Sequence, residues 1–297
     1  NNTNIQFNMK ISSVIISRND NYGGNLKERA TYCINSAIDT YDEVFYIDWN
    51  SPTHSLLYDI KDDLKLKGNL KHIVISPEVV SIITNNDPNA QKCCEVLARN
   101  IGLRRATGDW ILSTNIDVIQ PKRDELEETL NHLDKDTFYT ISRRHTDWAQ
   151  IKKFHGGEIK FDKWKELRDY LISNSEERHH DENVVNGDDY SIINCCGDYQ
   201  IAPRHIWEEI RGMEEDLIYC LYTDTNVQKK AVKHGFGLKA IYSPALFHIE
   251  HGKGGGGFLD GINKLVNDQY RAIIYQKKTE NTESWGFGNT EIEYEII

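Results

Sequence analysis

Four short runs of apolar and β-branched residues are spaced through the first 120 positions, and each gives way to polar residues. They are Met9 to Ser17, Glu43 to Trp49, Leu70 to Ser76 and Trp110 to Ser113. Runs of this length predict strands buried on both faces, as in a parallel sheet. Between them lie stretches with helical spacing. Leu26 to Thr40 carries Ala30, Cys33, Ile34, Ala37 and Ile38 on one side, and Leu56 to Leu66 and Cys94 to Arg105 read the same way. Strands alternating with helices predict a parallel, doubly wound half-fold. Right-handed crossovers then put the strand ends at one edge.

The polar strand ends are Ser17-Arg18-Asn19, Asp48-Trp49-Asn50 and Asn115-Ile116-Asp117. Ligands of open α/β sheets bind at that edge. A carboxylate and an amide two residues apart suit a hard divalent cation carrying phosphates. The plain alternative is an Asx turn that satisfies its own backbone. Neither G-x-G-x-x-G nor G-x-x-x-x-G-K-[ST] follows the first strand, which argues against a dinucleotide oxidoreductase and a P-loop NTPase.

A formal charge of −11 argues against nucleic acid and anionic membrane as partners. An anionic substrate would need a local device, either a metal or a few basic groups. No apolar run reaches bilayer length, so no transmembrane segment is expected, and nothing at the N-terminus resembles a signal peptide. The six cysteines (Cys33, Cys93, Cys94, Cys195, Cys196 and Cys220) form neither a zinc pattern nor a C-x-x-C. Reduced thiols and a soluble protein, cytoplasmic or at the cytosolic face, are expected.

Beyond Pro121 the spacing predicts helices over Asp124–Leu133, Phe161–Ile172, Arg204–Ile210 and Thr225–His234, and strands over Thr137–Arg144, Gly197–Arg204 and Leu238–Tyr242. The polar stretch 148–194 is otherwise without a clear period. Phe247-His-Ile-Glu-His251 leads into glycines 252–257, and an amphipathic helix is expected over Asp260–Gln276. With no linker and no repeat, the expectation is one domain over 1–297. It comprises a first half (1–120), a second half (121–260) and a C-terminal helix and tail (261–297).

Several of these stretches resemble the family 2 glycosyltransferases, nucleotide-sugar-dependent enzymes with the GT-A fold. Ser13-Val-Ile-Ile-Ser-Arg-Asn19 is similar to their opening strand and loop. Glu43 to Ser51 stands where they have a strand ending in Asp-Asp-Gly-Ser. Ala98-Arg-Asn-Ile-Gly-Leu-Arg-Arg-Ala-Thr-Gly108 resembles their Ala-Arg-Asn-x-Gly helix and Ala-x-Gly turn. Asn115-Ile116-Asp117 occupies the place of the metal-binding Asp-x-Asp. Gly197 to Glu214 is similar to a segment with an arginine-tryptophan helix, and Tyr222-Thr-Asp224 lies where many members carry Glu-Asp before a helix. The resemblance covers residues 10–250 and is most specific over 97–117. Asn115 in place of the first Asp and Trp49 after Asp48 depart from the pattern.

The resemblance implies a Rossmann-like, mixed but mainly parallel sheet flanked by helices, with 1–120 as a nucleotide-binding half, 121–260 as an acceptor-binding half and the tail across the acceptor side. It also implies transfer of a hexose from a UDP-sugar to a glycan or protein-linked acceptor, assisted by manganese or magnesium. A dTDP-rhamnose donor is the nearest variant, and a GT-A-like glycan-binding scaffold without catalysis is the non-enzymatic alternative. A sugar nucleotidyltransferase would need a richer loop than Asn21-Tyr22-Gly23-Gly24-Asn25.

Such transfer requires that the leaving diphosphate be neutralised, the nucleoside held and the acceptor deprotonated. Asp117 is the candidate metal ligand, with Asn115 as a direct or water-mediated oxygen donor. The resemblance implies a further histidine ligand, and His251 or His248 fits; their plain alternative is two polar residues at a strand end. Asp48 can accept a hydrogen bond from a uracil or thymine imide, or cap a turn. Ser17, Arg18, Asn19 and Ile116 complete the nucleotide set, with Arg99 facing a phosphate or a neighbouring carboxylate. Asp224 is the candidate general base, the cap of its helix, or both. Glycines 252–257 read equally as a lid or as a surface loop. His155, His179 and His180 read as solvated.

Overall fold

The computed structural model describes residues 9–175, 184–187, 190–193, 197–219, 223–252 and 280–297. The expected helix 260–276, Lys253 and glycines 254–257, His179, His180, Cys195, Cys196, Cys220 and Tyr222 lie outside them. The first half runs β1 (Ile11–Ser17), α1 (Leu26–Thr40), β2 (Glu43–Trp49), α2 (Leu56–Ile60), β3 (Leu70–Ile75), α3 (Pro77–Ile83), α4 (Glu95–Arg105) and β4 (Trp110–Thr114). Helix α2 is shorter than its spacing predicts and passes into a single 3-10 turn over Lys61–Asp63. Helix α3 was legible only from its start: Ser76 accepts from the Val79 amide and Pro77 takes the first position.

The four strands lie side by side as β3-β2-β1-β4, all parallel. Register sets Ser17 beside Asp48 and Ile15 beside Thr114. The tips of β1, β2 and β4 therefore emerge together. Successive side chains point to opposite faces. Val14, Ile16, Phe45 and Ile47 pack with Leu97 and Ile101 of α4, while Ile11, Ile15, Val44 and Tyr46 pack with Ala30, Cys33 and Ile34 of α1. Burial of most positions on both faces is why these runs are largely apolar, with Val74 of β3 an exposed exception.

The motif 98–108 has a local physical reading. A methyl on Gly102 would meet Val14 Cγ1 at 2.6 Å, so glycine lets α4 lie directly on β1. Asn100 docks a later turn, accepting from the Met213 amide at 2.8 Å and donating to the Met213 carbonyl at 2.8 Å. The Thr107 amide donates to the Glu43 carboxylate at 2.8 Å, and the Gly108 amide donates to Ser12 Oγ at 2.9 Å. Ser12 Oγ and Lys71 Nζ reach the same carboxylate at 2.5 and 2.6 Å. Glu43 thereby ties the turn before β4 to β1 and β3.

The chain continues through β5 (Val118–Ile119), α5 (Arg123–Asn131), β6 (Thr137–Ile141), β7 (Arg144–Thr146), α6 (Trp148–His155), α7 (Trp164–Asn174), β8 (Val184–Gly187), β9 (Tyr190–Ile193), β10 (Tyr199–Pro203), α8 (Arg204–Glu209), α9 (Thr223–Lys233), β11 (Gly237–Ile241), β12 (Phe247–Ile249) and β13 (Glu295–Ile296). The main sheet has the order β11-β6-β10-β4-β1-β2-β3-β13. Strand β10 runs antiparallel between β4 and β6, and β13 runs antiparallel on β3, which makes the sheet mixed. The single strand expected over 137–144 breaks into β6, in the main sheet, and β7, in a small sheet ordered β5-β12-β7. Helix α6 begins at a capping box between Asp147 and Gln150.

The described end of the tail, 280–297, packs on the first half. Arg105 donates to the Gly286 carbonyl at 2.6 Å, and β13 pairs with Lys71 and His72 of β3. Among the described residues no helix is long and apolar enough to cross a membrane.

Candidate active site

Strand β4 ends in the polar turn Asn115–Asp117 and resumes as β5, which pairs antiparallel with β12. Val118 faces His248, and the Ile249 amide donates to the Asp117 carbonyl at 2.9 Å. Backbone pairing therefore fixes the Asp117 and His248 side chains as neighbours. His251, two residues past β12, is placed by the loop after β1. The Gly252 amide donates to the Gly23 carbonyl at 3.0 Å, and the Tyr22 ring meets the His251 ring edge-on at 4.8 Å.

The result is a buried carboxylate facing two imidazoles. Asp117 Oδ2 lies 3.1 Å from His251 Nε2 and 3.6 Å from His248 Nε2. Arg29 Nη1 of α1 donates to the same oxygen at 3.1 Å. Burial raises the proton affinity of this carboxyl, but hydrogen bonds from His248 and His251, with the charges of His248 and Arg29, outweigh it and hold the group well below the usual carboxylate range. Asp117 is an anion at any physiological pH.

The three side chains fit a divalent cation. Donors bound to one ion at about 2.1 Å stand roughly 3 to 4 Å apart. The Asp117–imidazole separations of 3.1 and 3.6 Å fall in that range, and all three donor atoms lie within 4.8 Å of one another. Asp117 Oδ1 and His248 Nδ1 are buried without a hydrogen-bond partner among the described residues. An orphaned carboxylate oxygen beside two imidazoles can accept a manganese- or magnesium-sized ion.

Ser17, Arg18, Arg99, Asn115 and Ile116 line one cleft with Asp117. Asp20, Tyr22 and Glu95 share it. Ser17 is hydrogen-bonded to Tyr46, and Arg18 donates to the Asn50 carbonyl at 2.9 Å and to Asp20 at 2.5 Å. Arg99 donates to Ser113 Oγ at 2.6 Å and to Asn115 Oδ1 at 2.5 Å, and pairs with Glu95 at 3.7 Å. The Asn115 amide donates in turn to Asp198 Oδ1 at 2.7 Å. Asp198 also pairs with Arg143. The Asn115 side chain is thus held between Arg99 and Asp198.

Asn19 and Asp48 do not line that cleft. Asn19 donates to the His54 carbonyl and to Asp59, at 3.2 and 3.1 Å. Asp48 is fully buried, with one oxygen accepting from the Leu56 amide at 3.3 Å at the start of α2 and the other without a partner. Burial pushes its proton affinity up, against the nearby hydroxyls of Ser51 and Ser55 and the Leu56 amide. Asp224, in the first turn of α9, accepts from the Thr225 amide at 2.8 Å and from the Gly197 amide at 2.8 Å. Burial raises its proton affinity as well. A methyl on Gly197 would meet Asp224 Cβ at 2.3 Å, so the glycine admits this approach. His155 is engaged, bonding to Tyr32 Oη at 2.7 Å, where a solvated ring was expected.

Sequence reasoning missed Arg29, Tyr22, Glu95 and Asp198. Arg29 carries no motif, being one charged residue in a helix otherwise read for its apolar spacing. Asp198 had a signal, since an amide at position 115 leaves room for an acid elsewhere in the same network.

No family model and no curated protein sequence matches this chain. Solved structures are similar in shape. The mannosyltransferase PcManGT from Pyrobaculum calidifontis, in complex with GDP-Man and Mn2+, matches with a TM-score of 0.50 at 12% identity, over 93% of this chain and 67% of that one. S. aureus TarS 1-349 in complex with UDP-GlcNAc matches with a TM-score of 0.49 at 15% identity, over 85% of this chain and 61% of that one. The chain spans only 37% of the longer TarS structure. At such identities the likeness to PcManGT is one of fold: the chain has a mixed, mainly parallel α/β sheet of the GT-A glycosyltransferase type.

Proposed function

We propose that the chain is a metal-assisted glycosyltransferase that moves a hexose from a nucleotide sugar, a UDP-sugar first, to a hydroxyl of a glycan or protein-linked acceptor. One observation carries the reading: a buried Asp117 carboxylate faces His248 and His251 at the mouth where β1 and β4 end. The GT-A fold shared with PcManGT supports a sugar nucleotide as donor. Residues 1–120 would supply the nucleotide side, and residues 121–260 the acceptor side.

Asp117, His251 and His248 would hold the ion, which when bound neutralises the departing diphosphate. The chain's own groups do the rest. Ser17, Arg18, Arg99, Asn115 and Ile116 wall the donor cleft, Arg99 and Asn115 by fixing each other's position. Asp48, fully buried at the tip of β2, would hold the start of α2 and with it the 50–56 turn on which Arg18 and Asn19 rest. Asn19 holds the neighbouring loop. Asp224 would take the acceptor proton; its raised proton affinity favours that role, since a base works best when its pKa approaches the working pH.

A second reading, a glycan-binding domain of the same fold without catalysis, draws on Asn115, whose amide oxygen is occupied by Arg99. Calorimetry with UDP, dTDP and GDP, with and without Mn2+, separates the two. The transferase binds one nucleotide at least tenfold tighter with Mn2+, a gain of about 1.4 kcal/mol, and loses that gain in Asp117→Ala. A scaffold binds none of them in either condition, and that result would reject the enzyme.

A further inference from the structure

Arg29 is used by no step above, yet it is fully buried against the site. Its guanidinium bridges two stretches of chain. Nη1 donates to Asp117 Oδ2 at 3.1 Å, Nε and Nη2 donate to the Gly24 carbonyl at 3.2 and 3.1 Å, and Nη2 also donates to the Tyr22 carbonyl. Near the positive end of α1 a guanidinium gains nothing from the helix dipole. The Asp117 carboxylate accounts for its place. Among the described residues Arg29 is the only arginine or lysine in contact with Asp117.

A buried carboxylate with no counter-charge is costly, and removing one member of such a pair strongly destabilises a fold. We propose that Arg29 is a built-in counter-ion to Asp117, a positioning residue that holds the carboxylate and the Tyr22–Gly24 turn when no cation is bound. The same turn carries Gly23, whose carbonyl accepts from the Gly252 amide, and Tyr22, whose ring meets His251. One side chain thus keeps both walls of the seat in register before the cation arrives. Once seated, the cation shares the carboxylate with Arg29. The inference rests on the reading of Asp117, His248 and His251 as a cation seat.

Thermal melting of the full chain tests it, in EDTA and with Mn2+ alone. Arg29→Met is expected to melt about 10 °C below wild type in EDTA. Mn2+ should then recover at least half of that loss, raising the variant at least twice as far as wild type. Equal Mn2+ gains in the two proteins, or no loss in EDTA, would overturn the counter-ion while leaving the seat intact. If Mn2+ moves neither protein, the seat and the counter-ion fall together. Should Arg29→Met not fold, Arg29→Met/Asp117→Asn carries the test. With both charges gone it is expected to fold and to melt within a few degrees of wild type, with no gain from Mn2+. A double variant that also fails to fold assigns Arg29 to packing alone and overturns the proposal.

Discussion

The α-carbon of Gly23 lies against the His251 imidazole, so close that a methyl there would meet Nδ1 at 2.4 Å and the Gly252 carbonyl at 2.9 Å. Gly23 also has φ +68°, the left-handed region that side chains disfavour. The loop after β1 and the segment after β12 therefore meet on a residue with no side chain, and His251 takes its position from that meeting.

Gly23→Ala should push His251 off Asp117 while leaving the sheet intact. Mn2+ affinity, by calorimetry, is expected to fall about 10- to 100-fold, the usual penalty for disturbing a ligand's support. The melting temperature should move by only a few degrees. Unchanged Mn2+ affinity would show that His251 does not depend on this contact.

Asp48→Asn is expected to separate stability from binding. Burial raises the proton affinity of the Asp48 carboxyl, so at neutral pH its ionised form is a cost to the fold that disappears as pH falls through the raised value. The amide should stabilise the free protein by about 1 kcal/mol. It should also weaken UDP binding about tenfold, through the loosened 50–56 turn that supports Arg18 and Asn19. A variant that binds UDP as well as wild type would remove Asp48 from the nucleotide set.

Glu43 gives the opposite pH dependence. Burial pushes its carboxyl up, but Lys71, Ser12 and the Thr107 amide outweigh this and leave it below the usual range. A depressed native pKa stabilises the fold above the unfolded value of 4.5, and that contribution is lost as pH falls through the native value. Glu43→Gln should therefore cost about 2 kcal/mol at pH 7, with the gap to wild type closing in acid. Denaturant titrations at pH 7 and below pH 4 measure it, and a pH-independent gap would contradict the assignment.

Asp224→Asn tests the proton acceptor. Turnover of the donor onto acceptor is expected to fall about 100-fold or more, with donor KM near wild type. A variant that loses only donor affinity would make Asp224 a cap for α9 and nothing else.

The first half of the sheet was readable because its strands are short, largely apolar runs and α1 shows apolar helical spacing, although neither α1 nor α4 starts on a side-chain cap. Asp117 could be singled out as a polar residue at a strand tip, His248 and His251 only through the family resemblance, and the backbone brings the three together. Their adjacency was not readable. It depends on β12 pairing with β5, two strands of three and two residues, too short to carry a period. Arg29 was hidden for a different reason: a charged residue on a buried helix face has no pattern, only a partner far away in sequence. The roles of Gly102, Gly108 and Asn100 in the 98–108 motif became physical only once Val14, Ser12 and Met213 were seen against them.

The pairing of Val118 with His248 joins segments made at quite different times during synthesis. The strands that wall the donor cleft leave the ribosome early, and the imidazoles follow well over a hundred residues later. A nascent chain that stops short of β12 carries Asp117 without His248 or His251. The proposed cation seat is therefore absent from partial chains, because a long-range contact cannot form until both of its segments have been made.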